Sequence, residues 1–292
     1  MYFIVVTLIV ILTLSCFSYM VYKVATHQDK ETTLSFWQAI MLAFSGVIAF
    51  IGDTIGVGSF AINIAIAKTF KLVKDADLPA LANGAQVVPG AIEAVFFLGV
   101  LHVDALTLIT LVLGATLGGF IGGIYASKID AKKIRLIMIS SFIVVIFLLL
   151  TNLLGLIPIG GSLVALAGTK LVLGFFGMFI AGFLVCFGVG LFAIVQAILF
   201  LLGMSPLVAF PIMTTAGAIQ QPVTTFAFIF AGKIPLKKIL IVGLFGIVGV
   251  VIGFNIVTSL TTFQLHCLLI LVIGYNVVNL VIASLKDSKA SI

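Results

Sequence analysis

Gly52-Asp53-Thr54-Ile55-Gly56-Val57-Gly58-Ser59-Phe60 lies in the middle of an apolar run, residues 36–66, and breaks it. Cys186-Phe187-Gly188-Val189-Gly190 does the same to the run 170–202. One straight bilayer crossing takes about 20 residues; each run is too long for one and too short for two. The breaks are copies of each other. At a shift of 132 residues, Gly56-Val57-Gly58-Ser59-Phe60-Ala61-Ile62 overlays Gly188-Val189-Gly190-Leu191-Phe192-Ala193-Ile194, with six of seven pairs identical. Pro79 then meets Pro211, and one residue later in register Pro89 meets Pro222. Residues 36–153 and 170–285 therefore read as an internal repeat.

Working outward, the remaining apolar segments are 2–22, 79–101, 105–126, 134–153, 207–231, 239–258 and 265–285. The chain is 63% hydrophobic and 8% charged over 292 residues. A soluble surface needs roughly a quarter charged residues, so the solvent here is lipid. Residues 1–24 are read as a first transmembrane helix rather than a leader, because the apolar run is long and no basic n-region precedes it. The net charge of +6 follows the positive-inside bias, and no basic stripe with interleaved aromatics points to nucleic acid. Cys16, Cys186 and Cys267 lack metal or disulfide spacing, and no cofactor is expected. His27, His102 and His266 have no partner at metal-ligand spacing. No HExxH or GxSxG motif argues for an enzyme.

Charge decides the topology. If each broken run were one crossing, Lys68, Lys71, Lys74, Lys128, Lys132, Lys133 and Arg135 would lie opposite Lys23 and Lys30. If each is a re-entrant hairpin of two half-helices, about 15 residues and 22 Å each, those residues fall on one side with Lys233, Lys237, Lys238, Lys286 and Lys289. Only Lys170 then lies outside. The expected fold is an all-α polytopic membrane protein with two inverted-topology repeats. Each has a hairpin (36–66, 170–202) and three helices, giving about seven full crossings in a plasma membrane, N-terminus outside and C-terminus cytoplasmic.

Broken backbone survives in a bilayer only against protein or a water-filled cavity. The half-helix after each Gly-x-Gly starts at the tip and aims free N–H groups at the midplane, which favours an anion. Gly56, Gly58, Gly188 and Gly190 allow close approach, with Thr54 and Ser59 as hydroxyl donors. The alternative is that these glycines serve only packing or hinging. The next helix of each repeat is expected to be interrupted too, near Pro89 and Pro222 as hinges. There Asn83, Gln86, Thr214, Thr215 and Gln221 can ligate a polar substrate or glue helices together. Asp53 and Glu93 are the acidic residues deep in apolar segments, and either can carry a coupling proton. Asp53 can instead cap the following half-helix, and Glu93 can bond a neighbouring helix while protonated.

At the Gly52–Phe60 string, with Asn83-Gly84-Ala85-Gln86-Val87-Val88-Pro89 and Gly188-Val189-Gly190, the chain resembles the sulfite exporter TauE/SafE family of membrane permeases. The resemblance covers nearly the whole chain, although a frequent triple-glycine tip is here Gly56-Val57-Gly58-Ser59. It implies a secondary transporter, an exporter, of sulfite or an organosulfonate, with protons as coupling ion. A passive anion channel, or a transporter of another small organic anion, is the alternative.

Overall fold

The computed structural model describes residues 2–26, 34–100, 103–155, 160–232, 234–256 and 262–290. Lys30, Lys233, His27 and His102 lie outside the described residues, as do the side chains of His266, Lys286 and Lys289. The described chain is built from helices: α1 (Tyr2–Ala25), α2 (Phe36–Thr54), α3 (Ser59–Thr69), a 3₁₀ turn (Asp75–Asp77), α4 (Leu78–Ala85), α5 (Val87–Val100) and α6 (Ala105–Ala126). There follow α7 (Ala131–Leu153), α8 (Gly168–Val185), α9 (Leu191–Leu201), α10 (Pro206–Phe230), α11 (Leu236–Ile256) and α12 (Thr262–Ala290).

The helix ends follow local chemistry. Ser35 and Gln38 form a reciprocal capping box at the start of α2. Asp104 caps α6, accepting from the Thr107 N–H at 2.9 Å. Pro206 opens α10, where its missing N–H costs no helix bond. At the tips, Gly56, Gly58 and Gly188 have φ of 96°, 91° and 87°, which side-chain-bearing residues rarely adopt. Gly190 has φ −58°, open to any residue, so it is not required for the turn.

The hairpin limbs are unequal, contrary to the expected pair of half-helices. α2 has 19 residues and α8 has 18, each apolar and long enough to cross a membrane. The return limbs α3 and α9 have 11 each, about 16 Å at 1.5 Å per residue. Seven stretches among the described residues have spanning length and hydropathy, but they are not the expected seven. α2 and α8 are included, and α10 and α12 are not; among the described residues α12 contributes only the shorter apolar stretch Ile270–Leu285.

Contacts fix the directions. α2 runs parallel to α11, since Gly46 faces the Val242 carbonyl and Gly253 faces Thr54. α6 runs parallel to α8, since Gly114 faces the Phe175 carbonyl and Gly122 that of Phe183. α5 and α10 are antiparallel: Gly90 sits by Gln221, and the Phe97 ring by Phe210. α11 follows α4 and α5 (Gly84 on Ile239, Gly246 on Pro89), and α10 follows α6 (Gly119 on Gln220, Gly123 on Ala227). Equivalent helices of the two repeats thus point in opposite directions. Each hairpin returns to its starting end: Lys170 Nζ donates to the Leu202 carbonyl at 3.0 Å, and Ser45 Oγ to Asn63 Oδ1 at 2.7 Å.

The glycines at α2/α11 and α6/α8 put backbone against backbone, the close approach that stabilises helix pairs in lipid. A Cβ on Gly114 would stand 2.5 Å from the Phe175 carbonyl oxygen. Two large apolar clusters and a smaller one around Cys186, Phe187 and Phe228 result among the described residues. One large cluster holds Leu42, Phe50, Leu78, Phe142 and Val242; the other holds Leu111, Met178, Val195 and Ile212. Large apolar side chains also cover the outside, with Phe3 81% and Phe36 83% exposed. Apolar patches of that extent belong against a membrane or a partner.

One end of the bundle gathers the charges. The C-termini of α1, α3, α6 and α10 and the N-termini of α4, α7 and α11 meet there, bringing Lys23, Lys68, Lys71, Lys74, Lys128, Lys132, Lys133, Arg135, Lys237 and Lys238. Asp75 ties part of this end together, with Lys68 at 2.7 Å and Arg135 at 3.0 Å. Lys170 lies at the other end.

Candidate functional site

The first tip is held by its own carboxylate. Asp53, in the last turn of α2, accepts the Ser59 N–H at 2.6 Å and so caps α3. Its other oxygen accepts from Gln86 Nε2. The Ser59 hydroxyl donates to Gln86 Oε1 and closes the ring. Gln86 stands between α4 and α5. Pro89 has no N–H for the Ala85 carbonyl, so α4 stops at Ala85 and the amide of Gln86 is free to reach the tip.

Glu93, one turn beyond Pro89, joins this ring. Its Oε1 lies 2.7 Å from Thr54 Oγ1, which is itself 2.9 Å from the Phe50 carbonyl. Asp53 is 2% exposed and Glu93 0%, and no basic side chain joins either in a salt bridge among the described residues. Asp53, Thr54, Ser59, Gln86 and Glu93 thus make up one buried polar network at the first tip.

The second tip is built differently. Asn83 Nδ2 donates to the Pro79 carbonyl at 2.9 Å and to the Val185 carbonyl at 3.0 Å, satisfying the end of α8 from across the repeat. Cys186 Sγ sits 3.2 Å from the Gly119 carbonyl and 3.7 Å from Thr224 Oγ1. Gln220 Nε2 donates to Thr224 at 2.6 Å. Gly190 at the start of α9 has no side chain to cap it, and among the described residues no side chain there matches the bond that Asp53 makes to α3.

The tips do meet. Ile64 of α3 packs against Gly188, and a Cβ on Gly190 would touch Phe60 Cβ at 3.6 Å. Between them lies a cavity of about 20 Å³ lined by Gly58, Val57, Gly190, Val189, Phe142 and others. That is room for about one water. The expected anion position between the tips is therefore closed in this conformation. Thr54 and Ser59 do not point hydroxyls at that cavity; both are engaged in the network.

The other expected ligands are scattered. Thr214 bonds within α10, to the Phe210 carbonyl at 3.1 Å. Gln221 approaches Gln86 over Gly90, and its Oε1, like Thr215 Oγ1, is buried with no protein partner. Contrary to expectation, α10 is continuous through Pro211 and Pro222. It is buried along most of its length against α1, α5 and α6, which hold the helix across each missing bond. Pro89 thus marks a break and Pro222 does not.

Asn63, Gln220, Thr224 and Asn276 were not expected as site residues. Asn276 of α12 donates to the Ala61 carbonyl of α3 at 2.8 Å. Their signal was a lone polar residue inside an apolar helix, which in lipid must find a partner. Asn63 Nδ2 and the side-chain oxygens of Gln220 and Asn276 remain unpaired within the protein.

Fold and site define an all-α multi-pass membrane protein with a buried polar interior. Compared with protein-family models, with curated proteins and with solved structures, the chain matches none.

Proposed function

We propose that the chain is a secondary transporter for a small anion, sulfite or an organosulfonate by its resemblance to the TauE/SafE permeases, coupled to protons through Asp53 and Glu93. The observation that carries this reading is the two buried carboxyl groups beside a re-entrant tip, with no basic partner among the described residues. Such groups are costly in a membrane interior and mark ion pathways. The 2.7 Å contact between Thr54 and Glu93 is a hydrogen bond.

While ionised, Asp53 occupies the N-terminus of α3 and repels a second anion. Protonation removes that charge and weakens the cap. The freed N–H groups of α3, facing the uncapped start of α9, then form an anion site once the tips part. Anion and proton accordingly move together. Rocking of one inverted repeat against the other gives alternating access. The basic end faces the cytoplasm by the positive-inside bias, which puts the N-terminus outside and the C-terminus inside.

The test is flux of radiosulfur-labelled sulfite into proteoliposomes at fixed membrane potential, with and without a pH gradient. Accumulation should follow the gradient, and Asp53→Asn should abolish the pH-driven part while leaving exchange. Flux that ignores the gradient would remove the coupling role. No flux with sulfite, sulfonates or carboxylates would remove transport of this anion class.

A further inference from the structure

A second, larger groove lies away from the tips. It has a volume of about 660 Å³, in the range of ligand-sized clefts, about 300–1,000 Å³. Phe120 and Ile124 of α6 form one wall, and Val223, Phe226 and Phe230 of α10 the other. The groove is apolar until its mouth, where Lys128 stands at the basic end of the bundle. Lys128 is exposed, and its ammonium has no acidic partner among the described residues.

The walls are rigid. Phe226 and Phe230 stack at 6.0 Å with their planes 16° apart. Tyr19 of α1 backs them at 5.9 and 6.1 Å, with Lys23 Nζ 5.6 Å above its ring. Lys132 and Lys133 follow Lys128 within five residues. The groove thus couples a chain-shaped apolar trough to a positive mouth at the membrane surface.

We propose that this groove binds an anionic phospholipid, one acyl chain between α6 and α10 and the headgroup phosphate on Lys128. Charge selects the occupant. A second copy in the same membrane orientation would bring its own basic end beside this one, and the two would repel. A zwitterionic lipid fills the trough but leaves Lys128 with no net negative partner. An anionic lipid satisfies both parts, as basic sites between helices at the membrane surface do.

The test uses Phe230→Trp in a Trp37→Phe background, Trp37 being the single tryptophan. The protein is reconstituted with phosphatidylglycerol or phosphatidylcholine carrying brominated acyl chains, which quench nearby indole. Quenching should show a preference of about fivefold for phosphatidylglycerol, the effect of one lysine at an anionic surface. The preference should fall to parity in Lys128→Gln. Native mass spectrometry of the unsubstituted protein should show retained phosphatidylglycerol, lost in Lys128→Gln, and keeps the proposal testable if the tryptophan variant does not fold. Equal quenching by the two lipids, with no retained adduct, would reduce the groove to ordinary lipid-facing surface. Quenching by neither, with emission that depends on the protein-to-lipid ratio, would show a second copy there instead. Both outcomes overturn the proposal.

Discussion

Asp53 and Glu93 are 40 residues apart in sequence and lie in one buried polar cluster in space. Their burial was legible from the apolar segments that carry them. Their meeting was not, because it depends on Pro89 ending α4 and turning Gln86 toward the tip. Sequence left Asp53 as either helix cap or proton carrier. In the structure it caps α3, and as a proposed proton carrier it would do both, since the cap is also what a proton would release. Glu93→Gln preserves the size of the side chain and a bond to Thr54 but cannot titrate. It should leave anion exchange within a few fold of normal and abolish pH-driven accumulation; retained accumulation would leave Asp53 as the sole carrier. Gly118 is decided by space alone, since a Cβ there would run into the Phe179 carbonyl. Gly118→Ala should destabilise by about 1–3 kcal/mol, the usual range for overpacking. Gly274→Ala, with nothing within 4 Å of the added carbon, should not lower the detergent melting temperature.

At the level of elements, the glycine breaks and their duplication located both hairpins. Limb length was misjudged because apolar residues continue on either side of each break, so only backbone contacts show where a limb ends. The second interruption was misjudged for another reason. A proline removes one bond, and whether the helix breaks there depends on the neighbours that hold it. Pro222 sits in a helix packed by α1, α5 and α6, whereas the helix at Pro89 gives way at Gln86. The start of α6 allows a pH prediction. The Thr107 N–H and hydroxyl on the Asp104 carboxylate hold it below the usual carboxylate range. Its capping contribution is present in full above the unfolded value, about 3.9, and is lost as pH falls through the lowered folded value. Asp104→Asn keeps a capping side chain. It should flatten the acid limb of a melting-temperature profile below about pH 4; an unchanged limb would place the acid sensitivity elsewhere.

For the whole molecule, charge was the most readable property. Ten basic residues described by the structure sit at one end and Lys170 at the other, as counting lysines against candidate hairpins anticipated. In intact cells, a membrane-impermeant maleimide should label Lys170→Cys, and should label Lys133→Cys only after lysis. The reverse pattern would invert the orientation. The scattered ligand set was the least readable part, because residues on α4, α5 and α10 become neighbours only through the antiparallel pairing of two repeats.

That pairing has one further consequence. Two identical halves placed head to tail would present the same machine to both faces of the membrane, with no preferred sense of flow. Here the position equivalent to Asp53 is Val185, and that equivalent to Glu93 is Phe226. The duplicated scaffold is reversible, but its ionisable equipment sits on one half only. In the proposed transporter, the states open to either face would therefore respond unequally to acid, a bias written in two carboxyl groups.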